Sequence, residues 1–334
     1  MECNMLKTRS LLLTLILLMA GGTANAQISE TAAADATPMA GCGPSSTIND
    51  LFTEFGRTGK MPAELGKWLN NEEIQSIPPF QVFDNVYYVG ICWVSAWLLK
   101  TSDGLVLIDT LYEPYTDRLL ENIKKLGFDS ADIKLVLVTH GHFDHAGGIS
   151  RLKALTNAKI AMTREGWIEA RQDAQKSQGK PGAWTMPSAD GIEIKDGEIL
   201  TVGDTSIQAF STPGHTWGTA SYVFDVKDGN ETYKAITVGG LGLNAIDGPQ
   251  QVEAYIRSID RIKKMVSDPQ HPIRVHLTSH PFSNGMIEAA ARLKERQPGQ
   301  PHPMDDAAEI IKQLEQLRLG ASERLKVEQA KTAK

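Results

Sequence analysis

Along this chain, short β-type apolar runs alternate with helical spacings and organise residues 79 to 320 into an α+β domain. Ile133–Thr139 is almost continuously apolar and rich in β-branched residues, as a buried strand is. Directly after it, Ile149, Leu152 and Leu155 fall on one helical face within 146–155. Strands are predicted near 80–109 and 133–139, helices at 115–126 and 146–155, and a second strand cluster near 192–240. Pro249–Met265 places Val252, Tyr255, Ile256, Ile259, Ile262 and Met265 on one stripe, which reads as core. A last helix, Asp305–Leu319, is expected to turn Ile310, Ile311, Leu314 and Leu317 inward and to stop at Gly320, leaving 321–334 as a tail.

The two ends of this pattern carry other information. Lys7 and Arg9 precede the apolar run Leu11–Met19, and Thr23-Ala-Asn-Ala26 offers a small-x-small cleavage site, so residues 1–26 read as a signal peptide. The run is shorter than the roughly 20 residues a spanning helix needs, so no membrane span is expected after cleavage. Residues 27–78 form an N-terminal arm, polar and partly helical through Trp68 and ending at Pro78-Pro79. An exported product is expected, periplasmic in a Gram-negative host.

Composition narrows the partners. With 334 residues, 41% hydrophobic and 22% charged, the chain has an ordinary globular core, and its net charge of -6 provides no basic surface for nucleic acid. Three cysteines are too few for a disulfide framework. Export would permit Cys42 and Cys92 to pair, but Cys92 lies in a strand pattern and reads as a buried free residue.

The chemistry is concentrated in Thr139-His-Gly-His-Phe-Asp-His145. His140, His142, Asp144 and His145 stand on one strand-to-helix loop, at the carboxyl end of a buried strand, where open α/β sheets place their sites. Imidazole and carboxylate are the donors zinc takes when it works as a catalyst, and four of them can diverge toward two neighbouring cations. Two further strand-end histidines complete the candidate set. His215 lies in Ser211-Thr-Pro-Gly-His-Thr-Trp-Gly218 after the strand Thr205–Phe210, and His280 closes Ile273–Ser279. His276 competes with His280, having the same strand parity, whereas His271 and His302 lie in proline-bearing loops and read as solvent-facing. Asp109, ending Leu105–Ile108, is read either as a hydrogen-bonding partner of a ligand histidine or as a turn residue.

These residues resemble the metallo-β-lactamase superfamily, whose HxHxDH motif His140 to His145 matches, and within it the class B β-lactamases of subclass 3. Phe83–Gly90, Leu107–Thr110, Thr212–Thr216, Ser279–Phe282 and Pro298–Met304 fall in the expected order over roughly residues 75 to 320. The resemblance implies a four-layer αβ/βα sandwich with its site at one edge between two mixed sheets. It implies two zinc ions, one on His140, His142 and His215 and the other on Asp144, His145 and His280. Asp144 would also be the catalytic residue that orients a zinc-bound hydroxide against the amide carbonyl of a β-lactam. One departure stands out. Where relatives carry a bridging Asp, a Cys or substrate-binding serines, this chain has Gly239, Gly240 and Gly242 within Val238–Ala245. The missing Asp argues against a glyoxalase II type of enzyme, and the missing serines leave a lactonase or esterase as the alternative, with Asn244 or Asp247 as compensating groups. A non-catalytic metal-binding protein is a third reading, disfavoured by the complete set of six ligands.

Candidate substrate-facing groups are fewer. Trp93 and Trp97 share strand parity and read as core, and Trp217 as a pocket floor or as packing against Tyr222. Residues 172–184 are polar enough for a flap over the metals.

Overall fold

The computed structural model describes residues 37–332 apart from 59, 189 and 190, so the signal peptide expected at 1–26 lies outside the described residues. Among the described residues, twelve strands form two sheets. The larger contains β1 (Phe80–Phe83), β2 (Val86–Tyr88), β3 (Trp97–Thr101), β4 (Gly104–Ile108), β5 (Ile133–Leu137), β6 (Lys159–Thr163) and β7 (Ile192–Ile194), in sequence order. It is antiparallel from β1 to β4 and parallel from β4 to β7. The smaller sheet runs β12 (Ile273–His276), β11 (Glu231–Thr237), β10 (Ala220–Asp228), β9 (Thr205–Ser211), β8 (Ile199–Val202), with β11 and β12 parallel and the rest antiparallel.

Alternation along the strands divides the apolar side chains among three cores. In β3 and β4, Trp97, Leu99, Val106 and Ile108 face the second sheet, where they meet Ile207, Ala209, Tyr222, Phe224 and Ala235. Their neighbours Leu98, Leu105 and Leu107 face the opposite way, onto Leu119, Ile123, Ile149, Leu152 and Trp167 of the flanking helices. The outer face of the smaller sheet presents Val223 and Ile236 to Val252, Tyr255, Ile259 and Ile262 of helix Pro249–Val266, and to Ile310 and Leu314. Helix, sheet, sheet and helix thus stack as four layers, the αβ/βα sandwich expected.

Several expectations need correction. Cys42 and Cys92 form a disulfide, with Cα atoms 5.3 Å apart. Cys92 is buried, as its pattern required, but the arm brings Cys42 to it. His302 is buried rather than solvent-facing. Its ring stacks 3.9 Å from Phe83 and its Nε2 donates to the Val82 carbonyl. The last helix does not stop at Gly320 but runs Ala307–Thr332, because Ala321 and Leu325 continue the inward stripe beyond it. Residues 172–184 are no flap: the helix Arg164–Ser177 takes up the first half, and Trp184 is buried in the helix-facing core, its Nε1 donating to Asp173. Among the described residues, no helix is long and apolar enough to cross a membrane.

Candidate metal centre

Strand ends from both sheets meet at one edge of the sandwich. β4 leads into Asp109, β5 leads into His140, the β9–β10 loop carries His215, β11 leads into Gly239–Gly242, and β12 leads to His280. The loop after β5 is cramped, which explains the glycine between its first two histidines. A Cβ at Gly141 would lie 2.5 Å from the Ala170 amide nitrogen of helix Arg164–Ser177. His142 then caps the short helix Phe143–Ala146, which turns Asp144 and His145 inward.

Three ring nitrogens converge first. His140 Nε2 and His142 Nδ1 are 3.1 Å apart, and His215 Nε2 lies 3.1 Å from the former and 3.2 Å from the latter. Beside this triangle, Asp144 Oδ2 lies 3.2 Å from His145 Nε2 and 3.9 Å from His280 Nε2. His140, Asp144 and His145 also converge as a cation-sized group, so His140 stands between the two clusters and His280 slightly farther out. All six candidate ligands therefore meet. His276 does not join them: it is buried against Gln313, its Nδ1 3.0 Å from the amide oxygen.

The outward nitrogen of four rings is pinned by an acceptor, which fixes the tautomer. His145 Nδ1 donates to Asp109 Oδ2 at 2.8 Å, His215 Nδ1 to the Gly242 carbonyl at 2.7 Å, and His280 Nδ1 to the Trp93 carbonyl at 2.8 Å. The Thr139 hydroxyl donates to Asp109 Oδ2 at 2.9 Å and is left to accept from His140 Nδ1 at 3.2 Å. In the neutral rings of His140, His215 and His280 the Nε2 lone pairs consequently face inward, and His145 would present its own once its Nε2 proton is lost. Asp109 is thus the hydrogen-bonding partner of a site histidine, and its backbone pays conformationally, with φ 65 followed by Leu111 at φ 55.

Electrostatics agree with a cation in this place. Burial, reinforced by the neighbouring rings, pushes His215 down to about 3 and His280 down to about 4, and holds His140 well below the ordinary imidazole range. These rings are neutral donors at physiological pH. For His145, burial works against the charged form, but Asp144 and Asp109 on either side raise it to about 10. Asp144 is held well below the usual carboxylate range by His145, against the effect of its own burial. His145 Nε2 is buried without a hydrogen-bond partner although Asp144 Oδ2 is close, so a metal ion seated between them would replace the ring's proton. Neutral rings and an ionised carboxylate are a donor set that fits zinc.

The glycine loop after β11 has a steric cause. A Cβ at Gly240 would lie 2.5 Å from His215 Cβ and 2.6 Å from its Cδ2, and one at Gly239 would lie 2.0 Å from the Ala220 carbonyl oxygen. A Cβ at Gly242 would meet Asn244 Oδ1 at 2.4 Å, so the Asn244 amide occupies the space a side chain at 242 would need. Asp247 is exposed.

The structure sorts the tryptophans and adds two residues not legible beforehand, Glu169 and Gln251. Trp93 is not core: it stands beside His280 and packs against Tyr112 and Phe143, forming an aromatic wall. Trp97 is core, as expected. Trp217 is 48% exposed and not packed on Tyr222, which is wholly buried. The amides of Trp217 and Gly218 instead donate to the Glu169 carboxylate at 2.8 Å each, and Gln251 Nε2 donates to the Gly214 carbonyl at 2.8 Å, so both flanks of His215 are tied down. Glu169 and Gln251 lie on regular helices, where nothing in the periodicity separates them from solvated polar residues.

Comparison with known proteins follows this geometry. Residues 89–229 match the metallo-β-lactamase superfamily family model. Among curated relatives, the hydroxyacylglutathione hydrolase of Maricaulis maris is 32% identical over 34% of this chain and 36% of its own length, and that of Rhodopseudomonas palustris 31% over 40% and 44%. The chain thus spans under half the length of these two relatives. Two solved structures cover far more. FEZ-1 of Legionella gormanii is 28% identical, covers 76% of this chain and 98% of its own, and has a TM-score of 0.68. BJP-1 of Bradyrhizobium japonicum, a subclass B3 metallo-β-lactamase, covers 77% and 98% with a TM-score of 0.66. Because that enzyme is 31% identical over nearly its whole length, the chain belongs to the metallo-β-lactamase superfamily.

Proposed function

We propose that this protein is an exported di-zinc hydrolase that opens the amide of a β-lactam. The observation that carries the reading is the joint convergence of a three-imidazole cluster and an Asp144–His145–His280 cluster at one sandwich edge. His140, His142 and His215 would hold one zinc, and Asp144, His145 and His280 the second. Zinc bound there supplies Lewis acidity for a carbonyl oxygen and brings the pKa of water to about 7.

The chain's own residues do the rest. Asp144, ionised at neutral pH, orients the attacking water. Asp109, Gly242 and Trp93 hold His145, His215 and His280 in the ligand tautomer. The Trp93–Tyr112–Phe143 wall provides apolar surface for an acyl substituent. Asn244, beside Gly242, would donate to a substrate carboxylate in the absence of serines. Export agrees with the Cys42–Cys92 bond, since disulfides persist in oxidising compartments.

A lactone or ester is the second reading, favoured by the glycines at 239, 240 and 242. Hydrolysis of a chromogenic cephalosporin, a carbapenem and an acyl-lactone by zinc-loaded protein, with and without chelator, decides between them. Chelator-sensitive β-lactam turnover supports the first reading, and lactone turnover alone the second. Asp144→Asn is expected to abolish turnover while retaining part of the metal, and a fully active variant would remove the role assigned to Asp144.

A further inference from the structure

Two different parts of the protein hold the two halves of the site. The His215 half is tied down by the domain itself, through Gly242, Gln251 and Glu169. The His280 half is tied to the arm, along two routes.

The first route reaches His280 through Trp93. The Cys42–Cys92 bond anchors the residue before Trp93. Gln75, wholly buried, accepts the Trp93 amide on Oε1 at 2.9 Å and the Cys92 amide on its own carbonyl at 3.2 Å. Its Nε2 donates to the Trp68 carbonyl at 2.9 Å, while Trp68 Nε1 donates back to the Cys42 carbonyl at 2.9 Å. This closed ring of arm residues sets the position of the Trp93 carbonyl, which receives His280 Nδ1. The second route reaches the other side of His280. Asn49 Nδ2 donates to the Phe282 carbonyl at 2.6 Å, and Phe52 stacks on the Phe282 ring at 4.7 Å, nearly parallel at 4°. Residues 91–95 and 279–282 are also joined directly, the Ser95 amide donating to the Ser279 carbonyl at 2.9 Å.

We infer that the segment Ala40–Gln75, closed by the Cys42–Cys92 disulfide, is the positioning element of the His280 half-site, so that it sets the affinity for the second zinc and not for the first. This rests on the two-zinc reading above. Ligand-orienting groups of this kind are worth roughly 10- to 100-fold in metal affinity.

The test is a zinc titration of metal-free protein against a competing chromogenic chelator, resolving two successive binding constants without any substrate. It compares the oxidised wild type, Cys42→Ser/Cys92→Ser and Asn49→Ala, each checked for its fold by near-ultraviolet circular dichroism. The expected result is a second constant weakened at least about tenfold, with the first within about twofold of wild type. Two unchanged constants in the folded variants would overturn the inference, and so would equal weakening of both, because the arm would then be a general stabiliser. If the double variant does not fold, Asn49→Ala decides by the same criteria. A wild type that binds a single zinc sinks the two-zinc reading itself, and the inference with it, before any variant is compared.

Discussion

Asp109 and His145 form a buried pair in which a carboxylate in a left-handed backbone conformation accepts the Nδ1 proton of the ring at 2.8 Å. The same carboxylate accepts the Thr139 amide at 2.8 Å and its hydroxyl at 2.9 Å. It therefore fixes the ends of both β4 and β5 and the direction in which His145 Nε2 points. Asp109→Asn would present a donor or a weaker acceptor to Nδ1. The second zinc should then bind roughly 10- to 100-fold more weakly. Metal analysis after dialysis at graded free zinc measures this, and wild-type retention would refute the orienting role.

Gly240→Ser tests the glycine loop. If the missing serine limited β-lactam binding, restoring it would raise turnover. The geometry requires the opposite, because the new Cβ would press on His215. We expect weaker binding of the first zinc and at least about a tenfold loss of kcat/KM, an effect of the size that displaced catalytic groups show. A serine variant equal to or better than wild type would sink the steric account.

Trp93→Ala keeps the backbone carbonyl that receives His280 but removes the centre of the aromatic wall. For substrates with an aromatic acyl group, KM is expected to rise about tenfold, the equivalent of roughly 1.4 kcal/mol of lost contact. Substrates with a small acyl group should change little, and kcat should hold for both. Equal effects on both substrates would show that Trp93 supports the site rather than the ligand.

His276 gives a pH prediction away from the zinc ligands. Burial holds its ring down to about 4, against 6.5 for an ordinary imidazole, with the Gln313 contact opposing. The unfolded chain therefore takes up a proton before the folded one as pH falls. Stability from this residue is complete above about 6.5 and declines toward 4, by roughly 3 kcal/mol in all. His276→Gln should flatten that part of the pH profile of urea denaturation. An identical slope in wild type and variant would show that His276 titrates alike in the folded and unfolded chains.

How much was legible beforehand depended on the range of the interaction. His140 to His145 announce themselves because four donors crowd one loop, and His215 and His280 because each lies on a loop after a strand pattern. The strands and helices follow from alternation and helical spacing, which local sequence carries, whereas their stacking into four layers was implied by the family resemblance. The disulfide was misjudged because burial and pairing place the same demand on Cys92, and only the path of the arm brings Cys42 near. His302 looked exposed because prolines surround it, yet its partners Phe83 and Val82 lie over two hundred residues earlier. Gly320 looked like a stop because its neighbours' packing on Leu243 and helix Pro249–Val266 is tertiary. Trp93 looked like core because the strand begins only at Trp97, after a turn that the apolar run conceals.

The contact between Gly240 and His215 also limits how this enzyme could diversify. A single substitution that introduced a carboxylate, thiol or hydroxyl at 240 would damage the histidine it was meant to assist. New substrate preferences are therefore more accessible through the exposed aromatic Phe143 and the Asn244 turn, where side chains can change without touching a ligand ring. In that sense the packing at 240 closes the bridging route to a second kind of active site and leaves variation to the rim.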